Sequence, residues 1–450
     1  MRGHLSHAGA FATPSGMPAG PMGIGQDLLV QPFWWPAAPL AAQSAVLPMR
    51  SDVVVVGSGY TGLSAALHLA RAGRSVTVLE AGKVGQGAST RNGGVIGPAF
   101  LKPSVRMLEQ RYGEACAVSL LKETQAAFDF LLHTIHEERI ECNLEPRGRF
   151  RGALCQQHFE GMKREYARIK KVIGEDFAIV DGQDVHREVG TDQYVGGIVL
   201  PRIHLLDPHR YHAGLLSAAL AAGVTVCEDT RLLSYRDEEA GLSLRTDRGT
   251  VGARHLVLAT NGYTGGESPW LRRRLIPVKS WIVATEALSE ATVKRIMPRN
   301  RSVSDTNSLL VYYRLSPDRK HLLFGGRPNY SDASARNAAK KLQSYFVRLF
   351  PELRTAGLTH CWEGAIAYTF DHMAHIGAQG QIRYAGGYCG AGIVLGTWFG
   401  YHTAQAVVTG QPSASAFEQL SSPTRPFYYG RPWFLPIVQA WYQGRDLFRL

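Results

Sequence analysis

Three things are missing from this 450-residue sequence. It has no uninterrupted apolar run of about eighteen residues, so no helix that crosses a bilayer is expected. Its six cysteines, Cys116, Cys142, Cys155, Cys227, Cys361 and Cys389, include no CxxC pair and no regular spacing. Neither a metal site nor a disulfide framework is therefore indicated, and free thiols in a reducing, cytoplasmic compartment are expected. Nor is there a block of about five or six like charges. The formal net charge of +12 is spread along the chain, which reads as a basic surface without a nucleic-acid partner.

What the chain does have is glycine in a meaningful place. Ser51 to Ala81 reads SDVVVVGSGYTGLSAALHLARAGRSVTVLEA. Val53 to Val56 are four β-branched residues, as in a strand buried on both faces of a parallel sheet. Gly57, Gly59 and Gly62 follow in G-x-G-x-x-G spacing. The first permits a tight turn, the second lets a pyrophosphate approach the backbone, and the third lets the next helix pack close to the sheet. That helix presents free NH groups and a favourable dipole to an anion. A second apolar strand, Val76 to Leu79, delivers Glu80 where an acid meets a ribose hydroxyl.

Gly82 to Gly97, GKVGQGASTRNGGVIG, is a second glycine-rich loop, with Ser89, Arg91 and Asn92 as polar groups. A nicotinamide-dependent enzyme continues quickly into its next helix after the first unit, whereas FAD needs a second loop to carry its remaining half. Further on, residues 104–140 have helical spacing, Arg147 to Leu154 resembles a strand, and Phe159 to Ile173 a basic amphipathic helix. Asp207-Pro208 marks a helix start, and His255 to Thr260 is another buried strand ending in Asn261-Gly262. Leu275 to Glu286 and Leu309 to Arg327 alternate as antiparallel strands do. Gly386 to Val394 forms a late glycine loop that feeds a helix running to Gly410. The first forty or so residues are rich in Gly, Pro and Ala without a continuous apolar core. They read as a surface extension attached through Phe33, Trp34 and Trp35.

Taken together and in order, eight segments resemble the D-amino-acid-oxidase superfamily of flavoproteins, in the branch of glycine oxidase, sarcosine oxidase and gamma-glutamylputrescine oxidase. They are GSGYTGLSAALHLARAG with Glu80, GASTRNGG (87–94), LLDPHRY (205–211), ATNGYT (259–264), IVATE (282–286), LLFGGR (322–327), WEGAIAYTFDHMAHIG (362–377) and GYCGAGIVLGTWFG (387–400). The resemblance implies an α/β plus antiparallel β fold. Residues 49–145, 200–270 and 360–412 would form a discontinuous Rossmann-type FAD-binding domain, and 146–199 with 271–359 a smaller substrate domain on an antiparallel sheet. Residues 1–48 would be an extension and 413–450 a tail packed on the surface.

By position, Gly57, Gly59 and Gly62, with Tyr60 and Thr61, would meet the pyrophosphate, and Glu80 with Ala81 the ribose. Gly87, Ala88, Ser89, Arg91, Asn92, Gly93, Gly94 and Val95 would run beside the flavin, with Ala259, Thr260 and Asn261 on the returning strand. Gly390, Gly392, Ile393 and Val394 would place backbone at the flavin's pyrimidine edge. The implied chemistry is hydride removal from the carbon beside a primary or secondary amine. The imine then hydrolyses, and the cofactor is reoxidised by O2 with release of H2O2. A dehydrogenase with a quinone or protein acceptor is the alternative, and a NAD(P)-dependent one a more distant third.

Two positions depart from relatives: Cys389 replaces a frequent serine and Lys279 a small residue. Lys279 is the candidate for promoting oxygen reduction, or else a surface or ion-paired lysine. Cys389 is either a small apolar neighbour of the flavin or a reactive thiol. Arg314 and Arg327 are the candidates for a substrate carboxylate, or else structural. Tyr312, Tyr313 and Trp281 could form an aromatic wall or belong to the core. His372 and His375 fall close to the expected flavin region, or else are hydrogen-bonded structural histidines, and Asp371 is expected to fix a loop. The aromatic tail from Phe427 to Phe448 raises a membrane-associated module as a further class; packing on the protein is the simpler expectation.

Overall fold

A computed structural model describes residues 27–35, 45–98, 101–239, 241–328 and 334–448. Two eight-stranded sheets organise them. The first has the spatial order Thr225–Cys227, Val76–Leu79, Arg50–Val56, Thr250–Leu258, Ile382–Gly386, His375–Gln379. Its first five strands are mutually parallel and the last is antiparallel. The strand alternation of Val53 to Val56 divides the burial. Val53 and Val55 join the core under the helices, while Val54 and Val56 join a second cluster with Leu244 and Leu256 under an antiparallel meander. Helix Tyr60–Arg71 packs against helix Val394–Thr409 so closely that a Cβ on Gly400 would lie 2.5 Å from the Thr61 carbonyl oxygen. The second of these helices is apolar on most sides and correspondingly buried along its length.

The second sheet has the order Leu358–Tyr368, Ile276–Thr285, Leu322–Gly326, Tyr312–Leu315, Ser302–Asp305, Arg149–Ala153, Gly196–Leu200, Ala178–Asp181. Its pairs are antiparallel except Ser302–Asp305 with Arg149–Ala153. That pair departs from the all-antiparallel expectation because the long excursion between the two strands supplies the crossover that a parallel pair needs. Strand Leu358–Tyr368 corrects the expected boundary at 360. It pairs with Ile276–Thr285 from Tyr368↔Ile276 to Leu358↔Thr285, so it belongs to this sheet.

Side-chain alternation again decides function here. Phe150, Trp281, Val283, Val303, Tyr313 and Phe324 turn to one face and bury against helix Ala335–Leu349. Their neighbours Arg149, Ser280, Ile282, Ser304 and Tyr312 turn to the other, toward the first sheet. Each fully buried large apolar side chain of the first set stabilises by about 1.5–3 kcal/mol.

The expected helical stretch 104–140 is two helices, Val105–Tyr112 and Glu114–Glu137, divided at Gly113 with φ +82°. Asp207 caps Pro208–Ala221, accepting from the His209 and Arg210 NH groups at 2.9 and 3.0 Å. In the tail, Tyr428 is buried and donates to the Leu275 carbonyl at 2.6 Å, while Trp433, Ile437 and Trp441 are exposed. No helix among the described residues is long and apolar enough to cross a membrane. Most of the expected extension, 1–26 and 36–44, lies outside the described residues.

Candidate active site

A cavity of about 570 Å³ runs between the sheets. It opens beyond the carboxyl ends of the parallel strands, where Gly57, Glu80 and Ala259 each follow a strand of the first sheet. Gly57 has φ +99°, a conformation only glycine adopts freely. A Cβ on Gly62 would lie 1.9 Å from the Gly57 carbonyl oxygen, so only glycine lets this helix start so near the strand. Neither helix Tyr60–Arg71 nor helix Val394–Thr409 has a side-chain cap or an acid in its first turn. Both starts turn the positive dipole end toward the cavity, while Ser89 Oγ accepts from the Tyr60 NH at 3.1 Å and the Ala391 and Gly392 carbonyls accept from the Leu395 and Gly396 NH groups.

The second loop is fixed from several directions. The Asn92 amide donates to the Ser89 carbonyl at 2.8 Å and its Oδ1 accepts from the Gly94 NH at 2.9 Å. Three indole NH groups bind the same loop: Trp34 to the Asn92 carbonyl, Trp35 to Thr90 Oγ1 and Trp362 to the Arg91 carbonyl, each at 2.9 Å. The attachment expected of Phe33, Trp34 and Trp35 thus reaches the cofactor loop itself, and the Arg91 guanidinium lies 4.6 Å from the Trp35 ring centre.

Nearly all the sequence-assigned cofactor residues meet at this cavity. Gly57, Gly59, Tyr60, Thr61, Glu80 and Ala81 line one part; Gly87, Ala88, Ser89, Arg91, Asn92, Gly93, Gly94 and Val95 the middle. Ala259, Thr260, Asn261, Cys389, Gly390, Gly392 and Ile393 line the opposite wall. Gly62 and Val394 do not line it: Gly62 faces back toward Gly57, and Val394 is buried in the core. Glu80 accepts from the Ser58 NH at 3.0 Å and the Ser58 hydroxyl at 2.6 Å, which fixes its carboxylate at the cavity wall.

The assigned substrate residues separate. Arg327 lines the cavity and donates to the Tyr368 hydroxyl. Arg314 does not line it. The residue is 4% exposed, and its guanidinium donates to the carbonyls of Gly94 and Leu206 at 2.9 Å, of Leu315 at 3.0 Å and of Gly93 at 3.3 Å. It pins the cofactor loop to the second sheet, so its forks are already occupied. Arg314→Met leaves buried carbonyls without these donors and is expected to destabilise by about 3 kcal/mol. A melting temperature lowered by several degrees, with weaker flavin retention, checks this; an unchanged melting curve contradicts it.

Lys279 projects from Ile276–Thr285 on the side opposite Ser280 and Ile282, and pairs with Glu363 at 3.3 Å. Tyr313 and Trp281 belong to the core, and only Tyr312 of the expected aromatic wall lines the cavity. Cys389 sits there with φ +52°, and burial pushes its thiol up to about 11, so it is a neutral neighbour at neutral pH. His375 is paired with Asp371 at 3.1 Å.

Two cations escaped the sequence reading. Lys102 and Arg149 line the same cavity as Arg327. Lys102 forms no hydrogen bond or ion pair with any described residue; it is an exposed residue that also lines the cavity. The surrounding protein and the charges of Arg327, Arg151 and Arg149 lower its ammonium from the usual lysine range, an effect that the water reaching this exposed side chain weakens. The carboxylates lining the cavity, among the described residues, are Glu80 and Glu267, both on the side of the glycine turns. Lys102 lies in an aperiodic turn after the second loop and Arg149 in a short strand without motif, and nothing in the local sequence marks either.

A parallel sheet with two glycine turns, two uncapped helix starts and a reaction chamber roofed by a second sheet defines an FAD-dependent oxidoreductase. The cradle fits that cofactor: the glycines bring backbone close where a Cβ could not fit, and two helix starts turn the positive ends of their dipoles to the cavity, as its phosphates and carbonyls require. The chain belongs to the FAD dependent oxidoreductase (DAO) family, whose model matches residues 52–406. It is thereby an FAD-dependent enzyme of the amine and amino-acid oxidoreductase class.

Among curated relatives it is 30% identical over 400 residues to gamma-glutamylputrescine oxidoreductase of Escherichia coli K12, covering 88% of this chain and 92% of that protein. It is 31% identical over 388 residues to a probable oxidoreductase OrdL of Haemophilus influenzae, covering 85% and 88%. Among solved structures, the glycine oxidase of Geobacillus kaustophilus superposes with a TM-score of 0.70 at 20% identity, covering 83% of this chain and 99% of that one.

Proposed function

We propose that this protein oxidises an amine that carries a carboxylate, and that dioxygen is the final acceptor, giving hydrogen peroxide. The observation that carries this reading is the set of cations lining the cavity: Lys102, Arg149 and Arg327, against the two carboxylates of Glu80 and Glu267 among the described lining residues.

These residues have two effects on a bound amino acid. Arg327 and its neighbours hold the carboxylate, which fixes the position of the adjacent C–H bond. The same positive field disfavours an ammonium ion and so favours the neutral amine, the form whose lone pair assists departure of hydride from the adjacent carbon. FAD, when bound, supplies the two-electron acceptor for that hydride. Tyr312 and Ile366 line the cavity, and the iminium product hydrolyses to a carbonyl compound and an amine or ammonia. Cys389, neutral across this pH range, contributes bulk without charge. Lys102, inside the cavity, replaces Lys279 as the lysine placed to favour negative charge during oxygen reduction.

Mixing the holoenzyme without oxygen with amino acids, N-methyl amino acids, diamines and gamma-glutamyl amines tests the reading. Bleaching of the flavin band by carboxylate-bearing amines, then peroxide formation in air, is expected. No bleaching by any amine contradicts the substrate class, and bleaching without peroxide contradicts the acceptor.

A further inference from the structure

The tail beyond Glu418 holds the most exposed aromatic side chains of the described residues. Phe427, Tyr429, Trp433, Ile437 and Trp441 are each between 64% and 80% exposed. Outside this stretch, Tyr263 is the one aromatic side chain among the described residues that is exposed. So dense a group of bare apolar side chains marks a surface that another body covers.

The segment is held against the protein. Tyr428 and Phe434, with ring centres 5.9 Å apart, both pack on Phe370, so Tyr429 and Trp433 project from a closed loop. Helix Leu435–Phe448 follows, and its inner side is tied down. Gln439 donates to the Pro328 carbonyl at 3.1 Å, and Asp446 accepts from the Ser308 and Leu309 NH groups at 2.6 and 3.0 Å. Leu435, one turn before Gln439, is buried on that side. Ile437 and Trp441, themselves one turn apart, therefore share the opposite side.

The charge around these aromatics has one sign. From Gln419 to Arg445 the chain contains three arginines and no aspartate or glutamate. Arg425 and Arg431 are exposed and form no ion pair with any described residue. Arg272 and Arg273 reach the same loop: the Arg273 guanidinium lies 4.8 Å from the Tyr429 ring centre, and a Cβ on Gly430 would lie 2.2 Å from Arg272 Cγ. The one acid of the tail helix, Asp446, is turned inward to the two NH groups it accepts from.

We propose that Phe427 to Trp441 is a docking surface for anionic membrane lipid, with the tail helix lying along the bilayer. Tryptophan and tyrosine rings settle at the level of lipid headgroups, and arginine meets the negative charge there. A second copy of the chain fits less well, because a two-fold contact sets arginine against arginine. No described helix is long and apolar enough to cross the bilayer, so the contact is with its surface. The proposal does not depend on which amine the cavity takes.

The test uses the full-length holoenzyme, sedimented with vesicles of phosphatidylcholine alone or with about a quarter phosphatidylglycerol. Binding to the anionic vesicles is expected to be at least about ten-fold stronger, and to fall at about 1 M salt, where the screening length drops to about 3 Å. The double variant Trp433→Ser, Trp441→Ser is expected to lose at least about ten-fold in this binding. Arg425→Gln with Arg431→Gln is expected to lose about ten-fold on anionic vesicles and nothing on phosphatidylcholine. All four side chains are exposed, so flavin content, melting temperature and bleaching by amines are expected to stay as they are. Leu220→Ser, which removes an exposed apolar side chain from helix Pro208–Ala221, is expected to bind vesicles as the unaltered protein does. Failure to sediment with anionic vesicles, or equal binding by the tryptophan variant, overturns the proposal. So does sedimentation velocity without lipid that shows a dimer which the tryptophan variant splits, since the face then belongs to a second copy.

Discussion

Gly62→Ala is expected to yield a folded protein that no longer carries a visible flavin band. The added methyl carbon would stand 1.9 Å from the Gly57 carbonyl oxygen and 3.1 Å from its carbonyl carbon. Both neighbours are backbone, in a turn whose Gly57 already holds φ +99°, so the strain cannot be relieved by rotating a side chain. The helix must move away from the strand instead. Overpacking of this kind costs about 1–3 kcal/mol of stability, which a chain of this size survives. The cofactor site is less tolerant, because the start of helix Tyr60–Arg71 has no side-chain cap to hold an anion in its place. Displacing its NH groups is expected to weaken FAD binding by at least about 100-fold, near 3 kcal/mol. Gly161→Ala is the control: it lies inside helix Gln156–Ile173, and an added Cβ meets nothing within 4 Å. It is expected to raise the melting temperature slightly and leave the flavin in place. Absorbance of the two purified variants checks both outcomes, and a fully flavinated Gly62→Ala contradicts the account.

Arg327→Met is expected to raise the half-saturating concentration of a carboxylate-bearing amine by about 10- to 100-fold, because a hydrogen bond to a charged group contributes about 1.5–3 kcal/mol. The limiting rate of flavin reduction is expected to fall less, since methionine leaves the cradle and its glycines in place. Arg327→Lys keeps the charge but loses the planar fork, so it restores part of the affinity. Rapid-mixing measurements without oxygen separate the two parameters. A variant with unchanged half-saturation contradicts a substrate-holding role for Arg327.

The cofactor half was legible in the sequence because its constraints are local. Gly57 and Gly62 are demanded by a backbone conformation and a close approach five residues apart, and a strand buried on both faces announces itself in Val53 to Val56. The substrate half depends on contacts between segments far apart in sequence. Alternation marked strand Tyr312–Leu315 but not which side faces the cavity, so Tyr312 and Tyr313 looked equivalent although one lines it and the other is core. Arg314 was the plausible anion holder until carbonyls 108 and 220 residues away claimed its donors. Strand Leu358–Tyr368 was obscured by Glu363 and Gly364 at its centre; Gly364 lies where a Cβ would come 3.2 Å from Arg91 Cβ. Lys102 and Arg149 become a pair only when the second sheet folds over the first.

The central claim is that this cavity recognises the anion of an anionic amine. It is tested most directly by reducing the flavin without oxygen with two matched amines, an amino acid and its analogue with methyl in place of the carboxylate. The account predicts half-saturation by the analogue at least about 10-fold higher, with Arg327→Met removing most of that difference. Equal half-saturation by the two amines would contradict it.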